Sequence, residues 1–413
     1  MNAPLEGLRI VDLSMFMSGP LVTLIAADLG ADVIKVESIQ RLDGWRGGAL
    51  LNTANGPAWE QAPSFNWINR NKRGITLNLT DPRGADLLKH LVAKSDIVVE
   101  NYTPRVLGNF GLGYDELRVV RPDIILLSMP GFGLTGPWRD YTAFAWSTEQ
   151  MAGINHLTGY EGGPPLFTGM TGGDPLAGLM GALAMFAALN HRRRTGEGQH
   201  IDLSQLEAST MFVGDALMEA AYNDRSAIRR GNWHPTMAPH NTFRCLDGRW
   251  VAIACRTDAD WGRLAALIGH ADLASPDSPT ASIAGRHADL DRLDAIVAEW
   301  AALQDAPGAM AAAQAVGVPA GVLLDGLGLL DDPHLAARNF FIPQEREWVG
   351  LKHNPGQPFH MSRLSPPQHK PAPLLGEHTD RVLSELLGLA ANELDELRDA
   401  DVTGTIPLAA RHD

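Results

Sequence analysis

The chain has 413 residues, 45% of them hydrophobic, with 34 lysines and arginines against 48 aspartates and glutamates, a formal charge of −14. This acidic balance argues against general nucleic-acid binding, which needs a basic face, although a few well-placed cations can still hold a phosphorylated cofactor. The length predicts two domains with substantial cores, and Cys245 and Cys255, which lack metal-ligand spacing, read as buried free thiols.

The N-terminal stretch "MNAPLEGLRIVDLSMF" has no basic region followed by an apolar run, so a cytoplasmic protein without a secretory signal is expected. "LRIVDL" (8–13) reads as a buried strand, "GPLVTLIAADLG" as a helix opened by Pro20 and closed by Gly30, and "DVIKVE" (32–37) as a second strand. "GITLNL" (74–79) is a further strand. The segment "TDPRGADLLKHLVAKS" opens a helix at Asp81-Pro82 and leads to the strand "DIVVEN". The helix "YDELRVV" precedes one more strand, "DIILLSM". Strands alternating with helices imply a parallel sheet covered on both faces, a Rossmann-like architecture. The turn after the first strand, "SMFMSGP", lacks G-x-G-x-x-G, which argues against nicotinamide binding.

Gly-rich loops at "PGFGLTGP" and "GGPPLFTGMTGGD" mark close backbone approach or turns. The run "TGGDPLAGLMGALAMFAAL" then reads as a helix, with Asp174 as N-cap and Pro175 in the first helical position. Leu176, Leu179, Met180, Leu183 and Phe186 recur at helical steps and predict its packed face. The apolar run ends at Leu189, short of the ~20 residues of a membrane span, so no membrane association is expected. "HRRR" (191–194) supplies cations for the helix C-terminus. A short strand "HIDLS" and a helix from Gln205 follow.

Beyond Arg225 the pattern changes. "NTFRCLDGRWVAIAC" alternates as a hairpin turning at Asp247-Gly248, and alanine-rich helices run from Trp261 to about Val316. The expected organisation is a large Rossmann-like domain over 1–222, a smaller α/β domain over 223–327, and a segment 328–413 returning to the first.

Taken in order, "GLRIVDLS", "GADVIKVES", "NRNKRGITLNL", "VVENYTPRVLGNFGLGYDEL", "GFGLTGP", "TGGDPLAG", "RRRTGEGQHIDLSQLEA", "DDPHLAARNFF" and "PLLGEHTDRVL" resemble the family III CoA-transferases, over nearly the whole chain. The resemblance implies that Asp174 is the nucleophile of a CoA transfer, passing through an acyl-aspartyl anhydride and an aspartyl-CoA thioester. Coenzyme A would then be substrate and transient covalent partner, with no permanently bound cofactor and no metal. Gly172 and Gly173 would let the bulky intermediate approach and offer N–H groups to an oxyanion. The resemblance places coenzyme A against Lys72, Arg73, Asn101, Tyr102 and Arg105. It also implies an interlocked homodimer.

The family also contains acyl-CoA racemases, which need two proton-transfer groups near the thioester. The positions where racemases similar to this chain carry His, Asp and Glu hold Phe144, Ala145 and Thr257 here, which favours transfer over racemisation. His156 and His240 read as structural histidines. Met17, Phe144 and Ala145 replace polar groups of formyl-CoA transferase, so the substrate-binding wall formed with Gly172 and Gly173 suits an acid with an apolar or aromatic part. Alternatives are a racemase, an acyl-CoA hydrolase, or one subunit of a heteromeric transferase.

Overall fold

The computed structural model describes residues 3–47, 56–364 and 369–411. Strands β1 (Arg9–Asp12), β2 (Asp32–Glu37), β3 (Arg73–Thr76), β4 (Ile97–Glu100), β5 (Ile125–Ser128) and β6 (His200–Asp202) form one sheet. Its order is β3-β2-β1-β4-β5-β6, and every pairing is parallel. The order reverses between β1 and β4, and a doubly wound sheet of this kind opens a ligand crevice at the carboxyl ends of those two strands.

Period-two alternation divides the strands between two cores. Val11, Ile34, Ile75, Val98 and Leu126 pack on one face with Leu88, Leu91, Leu117 and Val382. Ile10, Val33, Val99, Ile125 and Leu127 pack on the other with Val22, Ala26, Ala177 and Met185. The second face is covered by the helices Ser18–Asp28 and Gly173–Thr195, which pack against each other.

The Gly173–Thr195 helix keeps part of the expected face: Met180 and Phe186 are half-buried against the sheet core, and Leu176 is half-buried. Its fully buried side is mostly small, with Ala177, Gly178, Gly181, Ala182 and Ala188 beside Met185 and Leu189, while Leu179 and Leu183 are 57% and 61% exposed. The reason is helix–helix distance. A Cβ on Gly178 would lie 2.9 Å from both Leu21 Cδ2 and the Ser18 carbonyl oxygen, so only glycine permits this approach. The helix ends at Gly196 in the left-handed conformation (φ 78°), with Arg192, Arg193 and Arg194 in its last turn.

The chain separates into two compact units. One comprises Met1–Asn155, Phe167–Arg225 and Leu335–Asp413; the other comprises His156–Leu166 and Ser226–His334. The segment 156–166, expected in the large domain, belongs to the second unit because Arg229 holds it. Its guanidinium donates to the carbonyls of His156 (2.9 Å) and Gly163 (3.0 Å), and Gly231 N–H donates to Gly159 O (2.8 Å). Within that unit β7 (His240–Arg244), β8 (Trp250–Ala254) and β9 (Ala320–Leu323) form an antiparallel sheet. The hairpin turns at Asp247-Gly248, as its sequence indicates. Cys245 and Cys255 are free and buried there.

A hairpin absent from the sequence reading, β10 (Phe341–Arg346) and β11 (Gly350–Pro355), lies in the first unit. Buried Arg346 ties it to residues distant in sequence, donating to Glu60 Oε2 (2.6 Å) and to the carbonyls of Ala372 (2.9 Å) and Pro373 (3.1 Å).

Candidate active site

At the switch point between β1 and β4, where a doubly wound sheet is expected to receive its ligand, the turns that follow the two strands meet. Asn101 stitches them together: its Oδ1 accepts Met15 N–H (2.8 Å), and its Nδ2 donates to Met15 O (2.7 Å) and Ser18 Oγ (3.0 Å). A buried ionic network fixes the same turn from below. Asp12 accepts Ser14 N–H (3.0 Å), the Thr23 hydroxyl (2.7 Å) and Lys72 Nζ (3.0 Å), and Lys35 pairs with Asp43 (3.0 Å). Asp43 accepts Phe16 N–H (3.0 Å), which holds Phe16 at φ 61°, an uncommon conformation for a bulky residue.

Two of the residues expected at coenzyme A are turned elsewhere. Lys72 Nζ is enclosed, donating to Asp12, to Pro20 O (3.0 Å) and to Asn69 Oδ1 (2.8 Å), so all three protons are committed. It secures the first turn of the Ser18–Asp28 helix instead. Arg73 reaches toward the amino ends of the strands, where it makes a bidentate pair with Asp32 (2.8 and 2.5 Å) that Arg9 also joins (2.7 Å). Asn101, Tyr102 and Arg105 do lie together after β4. Tyr102 is half-buried against the sheet core, and its N–H donates to Glu100 (2.8 Å). Arg105 opens the helix Arg105–Asn109, is exposed, and pairs with no acid among the described residues.

Asp174 is not an N-cap. Gly172 caps the helix, Gly173 is its first residue, and Asp174 sits in the first turn, its carboxylate accepting no hydrogen bond among the described residues. Thr171 at φ 49° turns the chain into the helix two residues earlier than the Asp-Pro pair suggests. Asp174 is half-buried, and burial, followed by the nearby charge of Glu149, raises its pKa to about 7. Desolvation here outweighs the helix terminus, which favours the ionised form by only about 0.3–1 kcal/mol in ordinary settings.

Glu149 is a site residue that the sequence reading missed. It lies in the helix Ala145–Met151, is 1% exposed, and accepts Gly172 N–H and the Thr168 hydroxyl, which is 3.1 Å from each of its oxygens. The Gly172 amide is therefore not available to an oxyanion, contrary to expectation. Gly173 is needed for space: a Cβ there would collide with Thr148 Oγ1 and lie 3.2 Å from Ala145 O and Ser209 Oγ. A signal for Glu149 was present, since it is the sole charged residue of its helix.

Phe144 caps that same helix, is 55% exposed, and meets Phe16 edge-to-face with centroids 5.5 Å apart. The aromatic pair connects the turn after β1 to the helix bearing Glu149. Ala145 is buried, and Met17 is buried with Leu24, Ile68, Trp45 and Trp67, behind the turn after β1. His240 and His156 bond to the backbone carbonyls of Asn232 (2.7 Å) and Ala227 (3.3 Å), in keeping with structural roles. Among the described residues, no helix is long and apolar enough to cross a membrane.

Fold and site thus define a doubly wound α/β protein whose strand order reverses between β1 and β4, with a carboxylate, unbonded among the described residues, at a glycine-lined helix start. The sequence model of CoA-transferase family III matches residues 5–379, and the chain belongs to that family. It is 34% identical over 409 residues to the succinyl-CoA–L-malate CoA-transferase beta subunit of Chloroflexus aurantiacus, covering 97% of this chain and 98% of that protein. It is 35% identical to the acetyl-CoA:oxalate CoA-transferase of Acetobacter aceti, covering 91% and 94%. A CAIB/BAIF family protein from Brucella suis has a similar structure, with a TM-score of 0.85, 32% identity, and coverage of 94% of this chain and 100% of that one.

Proposed function

We propose that this chain moves coenzyme A from an acyl-CoA to a free carboxylic acid, with Asp174 as the nucleophile. The observation that carries the reading is the Asp174 carboxylate, half-buried at a helix start and bonded to no group among the described residues. A carboxylate is a weak nucleophile in water, but suffices against a thioester when desolvated and oriented. A pKa near 7 leaves a substantial ionised fraction at neutral pH and makes that fraction more basic than an ordinary aspartate.

The Asp174 oxygen attacks the thioester carbonyl, the C–S bond breaks, and coenzyme A leaves as thiolate, giving an acyl-aspartyl anhydride. The thiolate then attacks the Asp174 carboxyl carbon, forming an aspartyl-CoA thioester and releasing the donor acid. An incoming carboxylate attacks that thioester, forming a new anhydride and freeing the thiolate again. Attack of the thiolate on the acyl carbon yields the new acyl-CoA and restores Asp174. Coenzyme A serves as substrate and transient covalent partner throughout, without a resident cofactor or metal.

Asn101, Tyr102 and the exposed Arg105 form the coenzyme-binding turn in this reading, with Lys72 supporting it from the core and Arg73 outside it. Phe144 and Phe16 present an aromatic wall, which favours an acceptor with an apolar part. Buried free thiols and a coenzyme A substrate fit a cytoplasmic enzyme. The exposed apolar residues Leu179 and Leu183, with the helix Gly214–Asn223 that buries none of its own residues, support a homodimer.

A second reading, one subunit of a two-component enzyme, is favoured by the beta-subunit name of the Chloroflexus relative. Acid-dependent transfer by the purified single chain excludes it. For the main reading, Asp174→Asn should leave the fold intact and lower transfer by several orders of magnitude. A folded variant retaining transfer would refute it.

A further inference from the structure

We propose that Glu149 is a positioning residue for Asp174: its buried carboxylate clamps the loop Thr168–Gly172 and keeps a like charge beside the nucleophile. The inference rests on the role proposed for Asp174 and deepens it.

A carboxylate that is 1% exposed is costly unless donors surround it. No cation pairs with Glu149 among the described residues, and its donors are the Thr168 hydroxyl and the Gly172 amide. Both belong to one five-residue loop, and the contacts sit at its two ends. Between them the backbone turns at Gly169 (φ 78°), which glycine adopts freely, and passes through φ 49° at the β-branched Thr171, a strained conformation that persists where the surroundings hold it. The clamp therefore decides where the helix begins, and Asp174 lies two residues beyond it.

The surroundings assign the electrostatic part to the same residue. The helices and strand packed against the Gly173–Thr195 helix carry few charges. On the Ser18–Asp28 helix the acid is Asp28, at the far end and paired with Arg70. On Gln205–Thr210 it is Glu207, which lines a cavity with Phe132 and Trp138. β5 has no charged residue. Glu149 alone adds its charge to burial in raising the affinity of Asp174 for a proton.

Glu149→Gln tests both parts, since the amide keeps an acceptor oxygen but removes the charge. Protonation of Asp174 is read without reference to activity, as the pH dependence of its carbodiimide-driven amidation, located by peptide mass. The midpoint should fall by roughly one pH unit relative to wild type. Acid-dependent transfer should lose about 10–100-fold in kcat, with KM for acyl-CoA little changed. Thr168→Val keeps the charge but removes one donor, so it should lower kcat and leave the amidation midpoint in place. An unchanged midpoint in Glu149→Gln, or wild-type kcat in Thr168→Val, overturns the proposal. If Glu149→Gln does not fold, the kcat of Thr168→Val decides. Transfer surviving in Asp174→Asn would sink the nucleophile instead, while the amidation comparison still reports whether Glu149 acts on Asp174.

Discussion

Glu100 ends β4, directly before the Asn101 stitch, and its burial should be visible as pH-dependent stability. The side chain is 4% exposed, and burial raises its pKa from 4.5 to about 7, against the hydrogen bonds of Ser128 and the Tyr102 N–H. Between these two values the unfolded chain has lost the proton and the folded chain retains it. The native state then binds more protons, so stability falls as pH rises through the window and levels off above about 7. The cost works out at roughly 1 kcal/mol near pH 5 and about 3 kcal/mol near pH 8.5. Glu100→Gln removes the charge and keeps an acceptor for Tyr102 N–H. The variant should therefore gain stability over wild type as pH rises, by about 2 kcal/mol across that span. Paired denaturant titrations of the two proteins at several pH values measure this gain. A wild-type-to-variant difference independent of pH would refute the reasoning.

Gly173→Ala should disturb the start of the helix that carries Asp174 through its collision with Thr148, costing about 1–3 kcal/mol and lowering kcat. Denaturation and steady-state kinetics on the same preparation check it. Arg105→Glu should raise the KM for acyl-CoA well beyond its effect on the KM for the free acid, because Arg105 is the exposed cation of the turn after β4. Equal changes in both constants would argue against that placement. If the proposed homodimer forms through this face, replacing Leu179 and Leu183 together by Glu should convert it to monomers in light scattering, since both side chains stand out from the Gly173–Thr195 helix; a wild type that is already monomeric would refute the dimer.

The parallel sheet was legible because each strand is a short apolar run bounded by turn residues, and the structure keeps all six. The two Asp-Pro pairs show where local reading stops. At Asp81 the backbone is extended, and the carboxylate accepts Arg83 N–H (2.9 Å), as a cap should. At Asp174 the same dipeptide lies inside the helix, because Thr171 and Gly172 have already turned the chain, a conformation fixed from Glu149 on another helix. The exposure of Leu179 and Leu183 on that helix has a similar origin. Large residues at helical spacing look like a core, but contact with the Ser18–Asp28 helix selects the small ones. β10 and β11 were hidden by Pro343 within a strand and by the absence of an Asn-Gly or Asp-Gly turn, with buried Arg346 supplying long-range contacts instead of an apolar pattern. Lys72 and Arg73 read as ligand-binding cations because a sequence shows charge but not the acids, Asp12 and Asp32, that claim it.

The central claim is that Asp174 becomes covalently acylated. Wild-type protein incubated with acyl-CoA alone and quenched with hydroxylamine should carry a hydroxamate on the peptide containing Asp174, and Asp174→Asn should carry none. Wild-type protein that transfers coenzyme A to acids yet yields no hydroxamate at Asp174, under conditions where a model anhydride is captured, would contradict the account.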